Sequence, residues 1–299
     1  MSDWISLAAG QSYPAGTLYI VATPIGNVAD LSLRALHVLG LADAIACEDT
    51  RNTGQLLSRV GLQRPLVAVH EHNEREAAGR IVQRLAAGER IAYVSDAGTP
   101  GISDPGARLV EAVRAAGLPV VPLPGPSAAV AALSVAGEML DTGAGRFTFV
   151  GFLPSKPKAR GEAIAALAAL DHAWVLYEAP HRIAETLAAL AAGLPPARRL
   201  LVGRELTKLF EETPVMTVAE APAWLAAEAT RAKGEFVLVV EGAAANAADD
   251  GAPDAQAQRV LSLLLAELPA KRAAKLAAAI TGASTDALYK LALAQRGGD

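Results

Sequence analysis

The chain has 299 residues, 52% of them apolar and 19% charged, with a formal net charge of −4. That length allows two medium domains that each bury their own core, and the composition is globular rather than disordered or fibrous. An acidic total argues against a protein that coats nucleic acid through its overall field, and 4% aromatic residues leave few base-stacking platforms.

The lone cysteine, Cys47, excludes an intrachain disulfide and a thiolate metal cluster. The opening MSDWISLAAGQSYPAG has no basic stretch followed by an apolar one, and charges or Pro/Gly interrupt every apolar run before it reaches a membrane span. The expectation is a cytoplasmic protein.

A first α/β domain is predicted over 17–124. TLYIVA (17–22), ADAIAC (42–47), PLVAVH (65–70), RIAYVSD (90–96) and PVVPLP (119–124) are near-continuously apolar, the pattern of strands covered on both faces. Helical spacing fills 31–39, 52–60, 75–87 and 107–116 between them. Such alternation implies right-handed crossovers and a mostly parallel sheet. LPGPSA (123–128) is a joint that opens a new helix. A second α/β domain over 125–242 carries FTFVGF, AWVLYEA, RLLVGREL, PVMTVA and EFVLVVEG; one short connection there predicts a mixed sheet.

A linker is predicted over 243–255, where the chain is small and acidic. The tail, 256–295, is helical, and Gly282 and Ser284 suit the end of one helix and the cap of the next. That is helix–turn–helix spacing, equally compatible with a packing or dimerisation module.

The unusual residues of the first domain cluster after its strands, where doubly wound sheets bind ligands. They are Thr23-Pro24-Ile25-Gly26-Asn27, Glu48-Asp49-Thr50-Arg51, Glu71-His72-Asn73-Glu74, the long run Ser95 to Gly106 (SDAGTPGISDPG), and Pro124-Gly125-Pro126-Ser127. Glycine admits a ligand to the main chain and proline stiffens the loop. Such a crevice suits a nucleoside with a zwitterionic tail. The chain lacks G-x-G-x-x-G after the first strand, a P-loop, and the H-E-x-x-H of metalloproteases. His70-Glu71-His72 could chelate a metal but also suits a solvated strand end. No metal is expected.

Together, LYIVATPIGNVADLSLRAL, CEDTRNTGQLL, HEHNE, VSDAGTPGISDPG, PLPGPSA, FVGFLPSK and YEAPHR closely resemble the ribosomal small-subunit methyltransferase I group, a branch of the tetrapyrrole methylase superfamily. The resemblance spans nearly all of 18–242, and the tail resembles the group's extra C-terminal module. It implies a two-domain tetrapyrrole-methylase fold, S-adenosylmethionine held between the domains, and 2′-O-methylation of a cytidine in the decoding region of 16S rRNA, within the 30S particle, by a homodimer. Carried residue by residue, it implies cofactor contacts at Pro24, Asp96, Ala97, Gly98, Ile102, Ser127 and Ala128, and more weakly at Tyr177, Glu178 and Ala179.

Methyl transfer from a sulfonium chiefly needs alignment, worth effective molarities of about 10⁵–10⁸ M, and a base adds roughly 10²–10⁴-fold. Glu48, Asp49, His72, Glu74, Glu178 and Glu205 are candidate cleft-facing groups. Asp49, Arg51 and Glu178 are the expected catalytic residues; for the first two, an internal salt bridge capping the following helix is the alternative. Lys156, Lys158, Arg160, Arg182, Arg204 and Lys208 are expected to line the substrate side, and Lys271, Arg272 and Lys275 form a basic cluster on the tail. Two rival readings are a tetrapyrrole C-methyltransferase on the same fold and a non-enzymatic RNA-binding assembly factor.

Overall fold

The structure, a computed structural model, describes residues 6–70, 73–243 and 255–296. Two compact units divide it, Met1–Gly242 and Ala243–Asp299. Among the described residues no helix is long and apolar enough to cross a membrane.

The first unit begins with a single helical turn, α1 (Ser6–Ala9). There follow β1 (Leu18–Val21), α2 (Leu33–Leu41), β2 (Ala44–Cys47), α3 (Thr50–Arg59), β3 (Leu66–Ala68), α4 (Glu74–Ala86), β4 (Ile91–Val94), α5 (Ala107–Ala115) and β5 (Val120–Leu123). The five strands form a sheet in the order β3-β2-β4-β1-β5, parallel throughout. Every residue of β2 and β4 is buried, which is why these segments read as unbroken apolar runs. Ala35, Val38 and Leu39 of α2 and Leu57 of α3 cover one face. Ile81 and Leu85 of α4 and Leu109 and Val113 of α5 cover the other. The chain therefore leaves β1 toward β2 and β3, then returns through β4 to β5 on the opposite face. Connections part between β1 and β4, and there a doubly wound sheet opens a crevice.

The second lobe of this unit contains α6 (Ala128–Ser134), β6 (Phe147–Phe152), α7 (Pro157–Leu167), β7 (Ala173–Glu178), α8 (Ile183–Gly193), β8 (Arg199–Arg204), β9 (Val215–Thr217), α9 (Ala221–Ala226) and β10 (Phe236–Val240). Its sheet runs β6-β7-β10-β8-β9. Only β6 and β7 are parallel; β10 lies antiparallel between β7 and β8, so the mixed sheet extends beyond the single short connection that predicted it. Alternation along β7 sorts its two faces. Trp174 and Leu176 pack with Ile164, Leu187 and Leu225 of α7, α8 and α9, whereas Ala173 and Val175 pack with Ala132 and Leu133 of α6.

The tail unit comprises α10 (Ala255–Leu265), α11 (Ala270–Thr281) and α12 (Thr285–Arg296), packed through Leu261, Ala273, Ala277, Leu288 and Ala292. Gly282 ends α11 at φ +75°, and the Ala287 N–H donates to Ser284 Oγ at the start of α12, as the sequence predicts. Lys271, Arg272 and Lys275 are exposed on α11. Most of the expected linker lies outside the described residues.

Glu74 does not face the cleft. It is buried, and its Oε1 accepts N–H bonds from Gly106 (3.1 Å), Arg108 (3.0 Å) and Leu109 (3.3 Å) at the start of α5. Gly106 offers no capping side chain of its own, so a carboxylate from α4 satisfies these orphan donors. Replacement by alanine leaves several buried N–H groups unpaired. Glu74→Ala is expected to lower unfolding stability by about 2 kcal/mol, read from the urea midpoint; an unchanged midpoint would remove this residue from the fold's supports.

Candidate active site

The crevice between β1 and β4 is closed at its base by main chain. Thr23 and Gly98 exchange two backbone hydrogen bonds, N–H to O at 2.9 and 3.0 Å. Gly98 sits at φ +78°, where a side chain would be strained. The Thr23 hydroxyl donates to Ser95 O at 3.1 Å, and the Thr99 hydroxyl to Pro126 O at 3.0 Å. Three strand-end loops are thus joined into one rigid floor. A Cβ on Gly125 would come within 2.8 Å of Ala22 Cβ, so the fifth loop lies hard against the first.

Over this floor lies a cavity of about 320 Å³, within the range of small-molecule sites. The first lobe contributes Ile25, Ala97, Gly98, Thr99, Ile102, Ser103 and Asp104. Ser127 and Ala128 lie at the joint, and the second lobe supplies Phe152, the run Tyr177 to Pro180, Leu206 and the start of β10. The resemblance implies ligand contacts at Ala97, Gly98, Ile102, Ser127 and Ala128, and more weakly at Tyr177, Glu178 and Ala179, and all eight lie in the wall. Pro24 and Asp96 do not. Asp96 is exposed and turns toward the β2–α3 turn, accepting from Asp49 N–H (3.2 Å) and Asn52 Nδ2 (2.8 Å).

A register shift in β6 between Phe149 and Gly151, with Gly151 at φ +73°, brings Phe152 to the cavity. Phe152 and Phe149 meet Tyr177 edge-on at 5.8 and 5.0 Å. Burial pushes the Tyr177 phenol upward, and its oxygen accepts the Ala129 N–H. The two lobes are latched beside the cavity. The Asn27 N–H donates to Thr207 Oγ1 at 3.1 Å, and the stem of Lys208 crosses Gly26, where a Cβ would come within 2.5 Å of it.

The structure places the expected catalytic groups in different surroundings. Asp49 caps α3 and accepts from the Arg51 backbone and guanidinium, which holds its carboxyl down to about 2. The capping salt bridge accounts for both residues, and neither lines the cavity. Glu178 does line it, but is buried and saturated: Ala179 N–H and Arg182 Nε meet Oε1 at 2.8 and 3.2 Å, and the Thr186 hydroxyl meets Oε2 at 2.6 Å. Glu205 pairs with Lys208 and accepts the Glu235 N–H. His72 and Glu71 fall outside the described residues, and with them the suggested His70–His72 chelate.

Several expected RNA contacts also have internal partners. Arg160 is buried against Glu185. Arg182 donates to Leu153 O and pairs with Glu178. Arg204 is buried and bonds Lys233 O, Thr230 O and Glu212. Lys208 pairs with Glu205 and Glu235. Lys156 and Lys158 remain exposed at the start of α7. Charge spacing could not separate these cases, because buried and solvated arginines look alike in sequence.

Asp104 belongs to the long fourth loop, and nothing in its local sequence sets it apart from the other turn residues there. It lies in the cavity wall, and burial, reinforced by the charges of Glu48 and Asp96, pushes its carboxyl up to about 6. Glu48, just outside the wall, is raised by the same combination of burial and nearby carboxylates.

The arrangement is that of a tetrapyrrole methylase. Residues 17–222 match the Tetrapyrrole (Corrin/Porphyrin) Methylases, and residues 251–296 match the RsmI C-terminal HTH domain. The chain belongs to the ribosomal RNA small subunit methyltransferase I family within that class. It is 52% identical to the Xylella fastidiosa (strain Temecula1) protein of that name, over 92% of this chain and 98% of that one. Among solved structures it resembles the methyltransferase CobJ, with a TM-score of 0.57, 22% identity, and 77% and 95% of the two chains covered. It also resembles a Thermus thermophilus uroporphyrin-III C-methyltransferase complexed with S-adenyl homocysteine, with a TM-score of 0.51, 16% identity, and 76% and 98% covered.

The Asp104 carboxyl has a pH signature. Its folded value, about 6, lies above the unfolded value of ~3.9. The folded state therefore holds the proton more tightly, and stability falls as pH rises from about 4 to about 6, with the full cost present above that window. In Asp104→Asn this cost is removed. The variant's Tm relative to wild type is expected to increase between pH 4 and pH 7.5; a pH-independent difference would contradict the assignment.

Proposed function

We propose that this chain transfers a methyl group from S-adenosylmethionine to the ribose 2′-hydroxyl of a cytidine in the decoding region of 16S rRNA. The observation that carries the donor is the chemistry of the cavity wall. It contains Asp104, Glu178 and Glu235 and no lysine or arginine, while its remaining surface is largely apolar side chain and loop main chain. Such a wall favours a cation with an apolar body over a phosphate-bearing ligand. Ile25, Ile102 and Phe152 offer apolar surface to a nucleoside base, and the Ala97–Thr99 and Ser127–Ala128 segments offer main chain to its polar groups. The bound donor supplies a methyl group made electrophilic by positive sulfur. The chain's own task is then to align the hydroxyl and exclude water, for which well-oriented groups gain effective molarities of about 10⁵–10⁸ M.

The RNA substrate rests on relatives named ribosomal RNA small subunit methyltransferase I at about half identity over nearly the full chain. The likeness to uroporphyrin-III methyltransferases, at 16–23% identity, concerns the fold. Lys156 and Lys158, exposed soon after the cavity-lining Phe152, and the outward cations of α11 are the groups we assign to phosphates.

The test is transfer of labelled methyl to 30S particles lacking the modification, followed by nucleoside mapping. The expected product is a 2′-O-methylcytidine. Ala128→Phe, which fills the cavity at the joint, should lower both transfer and adenosylhomocysteine binding by more than about 100-fold with an unchanged Tm. Label appearing on a porphyrinogen, or on a base of the RNA, would overturn the proposal.

A further inference from the structure

We infer that Leu209 and Phe210 form a wedge that enters the base stack of the RNA and holds the target nucleotide out of it. The inference rests on the ribose methylation proposed above. The two residues form the tip of the turn between β8 and β9, and they are 88% and 68% exposed. Aromatic residues are scarce in this chain, and Phe210 is the most exposed phenylalanine among the described residues.

The tip is exposed yet firmly held. Arg204 and Glu212 close the turn by exchanging two backbone hydrogen bonds, at 2.8 and 3.0 Å. Inside it the Lys208 N–H donates to Glu205 O at 3.0 Å, and the Glu211 N–H to Lys208 O at 3.2 Å. The Thr207 N–H donates to the Glu211 carboxylate at 2.8 Å. The Arg204 guanidinium, paired with Glu212 at 3.1 Å, also reaches the Phe210 carbonyl at 3.4 Å. Glu205 and Thr207 keep left-handed backbone, at φ +51° and +67°, which for a β-branched threonine is a strained choice. A turn braced in this way and ending in two uncovered apolar side chains is a fixed display of apolar surface.

The same bracing sets where the tip stands. Leu206 lines the cavity, Thr207 accepts the Asn27 N–H from the loop after β1, and Lys208 pairs with Glu235 of the cavity wall. Chain reach keeps the Cα atoms of Leu209 and Phe210 within about 11 and 14 Å of that of Leu206. At about 3.4 Å per base along a strand, this is a span of roughly three or four stacked bases. The turn offers no free cation to a phosphate, because Glu205 and Glu235 hold Lys208 at 2.8 and 2.6 Å. It therefore addresses the uncharged base. A second copy of the chain is the competing occupant, but two side chains supply only roughly 300 Å², and a stable protein interface needs about 800 Å² per partner. A contact of the smaller size suits the faces of two parted bases.

The proposed reaction calls for such an element. A ribose hydroxyl meets a sulfonium inside the junction cavity only when its nucleotide is drawn away from its neighbours, with loss of stacking. An apolar side chain inserted between the parted bases restores part of that contact. The ring of Phe210 does so for any base, since every base has a face to stack.

The test measures methyl transfer to 30S particles by the full-length wild type, Leu209→Ala, Phe210→Ala and Phe210→Trp. Each alanine variant is expected to lower kcat/KM for 30S by roughly 5- to 150-fold, as loss of one stacked contact does. Phe210→Trp keeps a stacking face and is expected to recover most of that loss. Adenosylhomocysteine affinity, Tm and sedimentation should match wild type in all three. Alanine variants with wild-type kinetics, or a tryptophan variant as slow as alanine, overturn the wedge and leave the proposed activity standing. So does a deficit that follows weaker adenosylhomocysteine binding, or a change of oligomeric state, which would make the tip a contact between copies. A wild-type protein that labels no ribose on 30S overturns both.

Discussion

Everything at the cavity depends on the paired main chains of Thr23 and Gly98. Parallel strands β1 and β4 leave the sheet side by side, and without a link their loops would diverge. Two backbone hydrogen bonds between them replace solvent contacts with fixed ones and satisfy the N–H groups of both residues. Their geometry requires the left-handed backbone that Gly98 provides. Through Thr99 and Pro126 the link extends to the loop after β5, and so to α6, whose first residue lines the cavity and whose other side packs on the second sheet. One antiparallel bridge therefore sets the position of both lobes' contributions.

Non-glycine residues with positive φ emphasise the same place. Of the four among the described residues, Ser103, Glu205 and Thr207 belong to loops that meet at the lobe junction. Thr207 receives the Asn27 N–H, Lys208 lies across Gly26, and Glu205 ties Lys208 to the start of β10. Strained backbone persists where surrounding contacts over-determine it, and here those contacts hold the cleft's edges together.

Much of this architecture is legible in the sequence. The five strands of the first sheet carry the continuous apolar signature of doubly covered strands, and the ligand loops are dense in Gly and Pro where the strands end. The eight wall residues expected from the resemblance lie together because these loops have one rigid conformation. Side-chain engagement is much less legible. Asp49 and Arg51 look like exposed functional charges until the turn is seen to place one over the first N–H groups of α3. Glu74 looks like a cleft acid, although its carboxylate reaches across to cap α5, accepting from an N–H 34 residues later. Asp104 looks like one more turn residue, since only the folded loop reveals that it lines the cavity with no cation paired to it. Periodicity reports burial of elements; the pairing of individual charges is decided by contacts distant in sequence.

The same distribution of charge bears on how a polyanion meets this chain. Arg160, Arg182, Arg204 and Lys208 are engaged internally, so the net charge of −4 is not offset by a basic cleft. Within the wall, Asp104, which has no ion pair among the described residues, attracts a sulfonium and repels phosphate at short range, whereas Glu178 and Glu235 are offset by Arg182 and Lys208. Of the second-lobe cations expected to meet the substrate, the exposed ones lie elsewhere, at Lys156 and Lys158 at the start of α7. On the proposed reading, an RNA strand gains favourable contacts by running its phosphates along that exterior and would lose them by entering. The parts of a nucleotide that can approach a carboxylate-lined cavity without carrying negative charge are its sugar and its base. An acidic cavity with basic groups outside it thus keeps phosphates at its rim and, on the proposed reading, admits the nucleotide by its neutral parts alone.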